Sequence, residues 1–306
     1  MTAAQVEHQG LIKRCTRSLA LLEPDVVVYT NDISFMPEND YQRGSKTVFQ
    51  YIVAVDYQDT LVSIEVKDAT SLQNKLKAVR TDHALSFDQS VTQYEESDFM
   101  WFEIDVTELH KVSKDQMIHL ELTEYHKRRR QAFPESVALK DKQTMEYLDS
   151  RILLSPYPVL TQLTTYRLEA HRIISFTEVE GTKQVDDGIR YGPYKNMPPF
   201  SFEIIRLLFE YLDPLLILSE ARKTVTVSHW GNILVDEYFA LENVGSKLKG
   251  EYSRVDFEYY RRGDNCLKSI SAVYPWYIQS MYFHDYIGNI SSTNALREDD
   301  RVSLKY

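Results

Sequence analysis

The chain has 306 residues, enough for one large or two medium domains, and its 43% hydrophobic and 12% aromatic content is that of a globular protein with a sizeable core. Its 45 acidic against 35 basic residues, net −10, exclude a typical nucleic-acid binder, which needs a basic face to neutralise phosphates. No window reaches the ~18–20 uninterrupted apolar residues of a membrane helix, and residues 1–17 lack the apolar core of a signal peptide, so the sequence by itself reads as soluble and cytosolic.

In chain order, the apolar run from Leu19 to Tyr29 is interrupted by Glu23, Pro24 and Asp25. Val26–Tyr29 is β-branched and aromatic and reads as a strand, followed by a loop over 31–45 with Pro37, Asn39 and Gly44. Strands are expected over 48–55 and 61–66, where Val62, Ile64 and Val66 alternate with polar neighbours. The polar stretch 68–83 reads as a loop or short helix. Phe102, Ile104 and Val106 mark another strand, as do Ile118, Leu120 and Leu122, with a turn over 107–116 between them. His126-Lys127-Arg128-Arg129-Arg130 is the one dense basic run. Nothing aromatic or glycine-rich flanks it to cradle a phosphate, so it reads as a solvated loop leaving a strand.

Further on, 147–154 reads as a strand ending in the turn Pro156-Tyr157-Pro158, and 166–179 as one long strand. The segment 185–200, rich in Asp, Gly and Pro, reads as a loop. Ile205, Leu208 and Phe209 suggest a helix over 202–212, broken by Pro214. Val255, Phe257 and Tyr259 alternate with charged residues and predict a strand. Strands are also expected over 269–278, with Pro275 marking an edge, and 281–286.

Thr224–Glu237 organises this half of the chain. Val225 and Val227 alternate with Thr224, Thr226 and Ser228, the period of a half-buried strand. The pattern stops at His229-Trp230-Gly231-Asn232 and resumes as Ile233-Leu234-Val235. Gly231 and Asn232 suit a turn or bulge, and Trp230 is expected to pack its ring in the core where the backbone bends. His229 reads as a residue bonding the neighbouring turn and not as a catalytic base. The fold class is therefore mainly β: two tandem antiparallel sandwich-like domains, 1–219 and 220–306, the second incomplete.

Catalytic constellations are hard to find. The eight His include no His-Glu-x-x-His, the two cysteines Cys15 and Cys266 form no Cys-x-x-Cys, and there is no nucleophile elbow or glycine-rich phosphate loop. The acid pairs Glu95-Glu96, Asp186-Asp187 and Asp299-Asp300 are adjacent, so in a strand they face opposite ways and cannot flank one glycosidic bond. No metal or cofactor is expected. Cys15 and Cys266 read as free or buried thiols. Asn289-Ile290-Ser291 is the single glycosylation sequon. The 21 tyrosines suit β surfaces and lasting interfaces. They also leave open a carbohydrate-binding module with a stacking row at Tyr274, Trp276 and Tyr277. A hydrolase is the least supported reading.

Several blocks, in order, resemble the ribophorin I family. These are Ser155-Pro156-Tyr157-Pro158 with Thr161-Gln162; Tyr191-Gly192-Pro193-Tyr194 with Pro198-Pro199 and Ser201; Ser228-His229-Trp230-Gly231-Asn232-Ile233 with Leu248-Lys249-Gly250 and Tyr252-Ser253-Arg254; and Ile287-Gly288-Asn289-Ile290-Ser291. The likeness is good over about 117–289. It implies subunit 1 of the oligosaccharyltransferase of the endoplasmic reticulum, a complex that moves a preassembled glycan from dolichol pyrophosphate to Asn of Asn-X-Ser/Thr. In that family the subunit is a non-catalytic scaffold that presents substrate, and the chemistry belongs to a multi-span partner. Translocon and nascent chains are the further implied contacts. The family's signal sequence, single transmembrane helix and cytosolic tail have no counterpart here, which implies a truncated luminal part. The resemblance also favours glycan attachment at Asn289.

Overall fold

Alternating apolar and polar residues turn most of this chain into strands, as the computed structural model shows. It describes residues 10–22, 25–38, 46–70, 74–81, 94–112, 117–168, 171–260, 270–290 and 294–305. The strands are β1 (Gly10–Leu22), β2 (Val26–Pro37), β3 (Val48–Ala54), β4 (Leu61–Asp68), β5 (Lys75–Leu76), β6 (Ala78–Thr81), β7 (Phe99–Asp105), β8 (Ile118–Lys127), β9 (Arg130–Ala132), β10 (Ser136–Val137) and β11 (Thr144–Ser150). They continue as β12 (Val159–Arg167), β13 (Ile173–Phe176), β14 (Lys183–Val185), β15 (Gly188–Met197), β16 (Ile204–Glu210), β17 (Leu216–Val227), β18 (Ile233–Asn243), β19 (Lys247–Leu248), β20 (Ser271–Pro275), β21 (Asn294–Arg297) and β22 (Arg301–Lys305). Among the described residues two short α-helices interrupt them, α1 (Thr107–Val112) and α2 (Arg254–Tyr260), with single 3-10 turns at Val55–Tyr57 and Glu96–Asp98. The fold is mainly β, as expected, and most pairings are antiparallel. Among the described residues two are parallel, β1 with β12 and β10 with β19.

The chain divides into two compact units. One comprises Met1–Pro134 and Thr144–Tyr211, the other Glu135–Gln143 and Leu212–Tyr306. Position 219, where the sequence suggested a boundary, lies inside β17.

The first unit is built on an eight-stranded sheet in the order β14-β15-β12-β1-β2-β8-β4-β5. Alternate residues of β1 are buried: Cys15, Arg17, Leu19 and Leu21. On that face Ile12 and Cys15 share one core with Phe49 and Tyr51 of the three-stranded sheet β3-β7-β6. Farther along β1, Arg17 reaches β11 of the four-stranded sheet β13-β16-β11-β9. The second unit holds the hairpin β17-β18, the pair β10-β19 and the sheet β20-β22-β21.

Several segments depart from the sequence reading, each for a local reason. Residues 31–37 are not loop but the second half of β2, which pairs with β1 and β8 on its two sides. The segment 185–200 contains the ten-residue β15, with Ile189 and Tyr191 fully buried against β12. The helix expected over 202–212 is the central strand β16. Ile205, Leu207 and Phe209 are its buried set, at the two-residue period of a strand and not the helical spacing of Ile205, Leu208 and Phe209. The single strand expected over 166–179 is two strands in different sheets, because the chain turns after Arg167, where Leu168 N–H donates to Asp187 O (2.9 Å).

The turn over 107–116 begins as α1. The Asp105 carboxylate accepts from Thr107 N–H (3.0 Å), and that bond with the one from the Thr107 hydroxyl holds the carboxyl below its usual range. The alternation at 255–259 is helical in fact. Ser253 caps α2 through Asp256 N–H (3.2 Å), and Arg254 pairs with Glu258 one turn on (3.2 Å). Residues 281–286 form no strand, only a bridge between His284 and Asn289. The polar stretch 74–81 supplies β5 and β6.

Candidate functional sites

The four signature residues lie together at the tip of the β17-β18 hairpin. Val227 pairs with Ile233, and the loop between them closes through Ser228 N–H to Asn232 O (2.8 Å) and Gly231 N–H to Ser228 O (3.1 Å). Gly231 has φ +84°, the left-handed conformation that a three-residue hairpin loop requires, and a Cβ there would meet nothing within 4 Å. The expected turn is present, but Trp230 is not a core residue: its ring is 92% exposed. The backbone bends at the hairpin tip, and among the described residues nothing covers the ring. Nor is His229 the turn's brace. That part is taken by the Ser228 hydroxyl, which accepts from Trp230 N–H (3.1 Å), and His229 is exposed.

Asn289 is exposed on the loop closed by its bridge to His284, while Asp285 accepts from the N–H of Ile287 and Gly288 (2.8 and 2.9 Å). The sequon's Ser291 lies outside the described residues. Trp276 and Tyr277 are exposed, but their rings stand 82° apart, so they do not make the flat row that would stack a sugar. Cys15 is buried and free, and burial pushes its thiol up to about 12, so it is inert; Cys266 lies outside the described residues. Among the described residues no group of His, Cys, Asp and Glu is placed to hold a metal ion.

The buried charges of the first unit form a cluster that no sequence pattern announces. Arg17 on β1 pairs with Asp149 on β11 (3.2 Å) and donates to Ser150 O (2.7 Å). Tyr166 on β12 donates to the same carboxylate (3.1 Å), and the Tyr29 and Tyr147 hydroxyls bond each other beside it. Arg17 stacks over the Tyr29 ring at 4.7 Å. A second group centres on Glu124 of β8. It accepts from Tyr51 and from Asn31 (3.2 Å), and contacts His126 at 3.1 Å, whose other ring nitrogen meets the Thr60 hydroxyl (3.2 Å).

The electrostatics follow from burial. Desolvation pushes the hydroxyls of Tyr29, Tyr147 and Tyr166 well above the usual tyrosine range. Burial alone would lower Arg17 and raise Glu124. The Asp149 charge outweighs it at Arg17, and the His126 and Tyr51 bonds outweigh it at Glu124, whose carboxyl sits below its usual range. The basic run is thus no solvated loop throughout. Lys127 and Arg128 are exposed, but Arg130 is buried against Asp25 (2.9 Å), and Arg129 lies over the Tyr57 ring (3.7 Å) and donates to Leu148 O (2.9 Å). Each of the inward-facing cations is held by a carboxylate, a carbonyl or a ring, which is the arrangement of a structural joint between sheets.

Two further signature blocks, Ser155–Gln162 and Tyr191–Tyr194, pack within the first unit. Gln162 is fully buried with its amide satisfied: it accepts from Leu153 N–H (3.1 Å) and donates to Arg151 O (3.1 Å) and the Thr164 hydroxyl (2.9 Å). Tyr157 accepts from Gln50 N–H on the edge strand β3 (2.9 Å) and packs against Phe35 and Phe49. Gly192 (φ +100°) lies so close to Gln162 that a Cβ would come within 2.9 Å of its carbonyl oxygen. Blocks far apart in sequence therefore meet in space.

Comparison with known proteins decides the family. The ribophorin I family model matches residues 25–306. The chain belongs to the ribophorin I family. Among curated relatives of this family, it is 36% identical over 173 residues to a dolichyl-diphosphooligosaccharide–protein glycosyltransferase subunit 1B of rice, covering 56% of this chain and 36% of the relative. It is 33% identical over 175 residues to subunit 1 of Caenorhabditis elegans, covering 56% and 30%. Against subunit 1A of Arabidopsis thaliana the identity is 33% over 195 residues, covering 63% and 32%. The chain thus spans about a third of the length of these ribophorin I relatives.

Proposed function

We propose that this chain serves as a non-catalytic, β-rich subunit of an oligosaccharyltransferase. That complex transfers a preassembled glycan from dolichol pyrophosphate to Asn in Asn-X-Ser/Thr of nascent chains. The observation that carries the reading is the family match over 25–306, together with relatives named as subunit 1 of the glycosyltransferase. The internal chemistry supports it. Two of the buried acids, Asp149 and Glu124, are held by Arg17 and by the His126 and Tyr51 bonds, which leaves them as fixed struts and not as acids or bases facing a substrate. The partners are the other subunits, including the multi-span one that performs the transfer, with the translocon and nascent polypeptides as neighbours. The setting is the luminal side of the endoplasmic reticulum membrane. No helix among the described residues is long and apolar enough to cross a membrane, so attachment is not through these helices. In that compartment the exposed Asn289 is itself a glycan acceptor.

The purified chain, incubated with a lipid-linked glycan and an Asn-X-Thr peptide, is expected to give no glycopeptide with or without Mn²⁺. Metal-dependent transfer by the chain alone would overturn the reading.

A further inference from the structure

The β17-β18 hairpin segregates charge along its length. From Thr224 to Val235 the sequence has no Asp, Glu, Lys or Arg, while Glu220, Arg222, Lys223, Asp236 and Glu237 sit nearer the base. Val225 lies opposite Val235 and Val227 opposite Ile233, so these four share one face of the ribbon. Val227 is 71% exposed, Ile233 67% and Trp230, at the tip, 92%. Loop tips in water carry small polar residues, because every exposed apolar side chain gains by leaving water. Here the tip carries the largest amphipathic ring among the amino acids.

Two features name the occupant. The first is the state of the loop backbone. The N–H groups of Ser228, Trp230 and Gly231 all donate within the loop, to Asn232 O, the Ser228 hydroxyl and Ser228 O. With three of the five N–H groups of residues 228–232 satisfied within the loop, its backbone loses less on leaving water than an open loop would, and unmet backbone groups are what the bilayer penalises. The second is charge. The molecule carries −10 and the tip offers no Lys or Arg, so an anionic surface would repel it and a zwitterionic one would not.

We propose that the tip from Val227 to Ile233 docks into the interfacial zone of a zwitterionic phospholipid bilayer, with Trp230 as its anchor. At ~3.3 Å per residue, Val227 lies about 10 Å from the tip, the depth that interfacial segments reach. Lys223 and Glu237, paired at 2.6 Å, are then about 20 Å away and stay in water. The indole N–H remains among headgroups while the ring enters the acyl boundary. This goes beyond membership of a membrane complex: it gives the chain a lipid contact of its own.

The test uses the whole 306-residue chain and phosphatidylcholine vesicles. The chain is expected to float with the vesicles. Lipids brominated in the acyl chains are expected to quench its tryptophan fluorescence, with the quenching kept in Trp276→Phe and lost in Trp230→Phe. The double variant Trp230→Ser, Ile233→Ser should lower partitioning roughly tenfold or more. Adding anionic lipid should not raise it. Because both side chains are exposed, the variant should keep the parent's circular dichroism and thermal midpoint, so loss of flotation reports the contact and not the fold. Failure of the chain to float, or equal flotation of the double variant, would overturn the proposal. So would a dimer in solution, abolished by the same variant, without vesicle binding, which would assign the face to a second copy.

Discussion

Arg17 and Asp149 stand 132 residues apart in the chain and 3.2 Å apart in the fold, and both are nearly inaccessible to water. Such a pair repays its desolvation only while both members are present. Replacing Arg17 with Met should cost about 3–5 kcal/mol, and Asp149→Leu a similar amount, while the double variant should recover more than half of the loss. Additive costs in urea unfolding would show that the pair does not act as a unit. Glu124 makes the companion prediction in pH. Its carboxyl is held below its usual range in the fold, so it contributes stability above the unfolded value of about 4.3 and loses that contribution as pH falls below it. Thermal midpoints of the parent should therefore drop more steeply than those of Glu124→Gln below about pH 4; parallel curves would count against the Glu124 network. None of this was legible in the sequence. The basic run drew attention, but which of its members turn inward depends on Asp25, Tyr57 and Leu148, which pattern reading cannot connect.

At the scale of elements, legibility followed the strictness of alternation. In β8 up to Leu122, in β4 from Val62 on and in β7 from Phe102 on, apolar residues alternate with polar ones, and strands lie over these segments as expected. Strand β15 was missed because its Gly and Pro residues read as loop, although Tyr191 and Ile189 fill the core from it. Helix α2 was hidden because its seven residues also alternate, and only the Ser253 cap and the Arg254–Glu258 pair separate the two readings. The β12-β15 pairing depends on one glycine. A Cβ on Gly188 would sit 1.8 Å from the Tyr166 carbonyl oxygen, so no side chain fits without moving backbone. Gly188→Ala should destabilise by at least about 1–3 kcal/mol. Gly231→Ala, at the open tip, meets only the cost of its φ, and should be milder. Equal losses at the two positions would contradict the close approach at Gly188. Trp230 teaches the same lesson from the other side: a large ring inside an alternating run reads as core, and only the placement of the hairpin shows that it faces outward.

For the whole molecule, mainly β architecture and family membership were both readable from sequence, the first from period and the second from ordered blocks such as Ser155–Pro158 and Ser228–Ile233. The blocks look like a site in sequence because they are compact; in space several of them are packing devices around Gln162 and Tyr157, and one is an exposed tip. The proposed role as a subunit follows from that family and from charges spent on structure. It is tested most directly by capture of the tagged protein, at its natural level, from detergent-solubilised endoplasmic reticulum membranes of its own cells. The account predicts that the multi-span transferase subunit is recovered with it in near-equal amount. Recovery of the protein from the cytosol, free of that subunit, would contradict it.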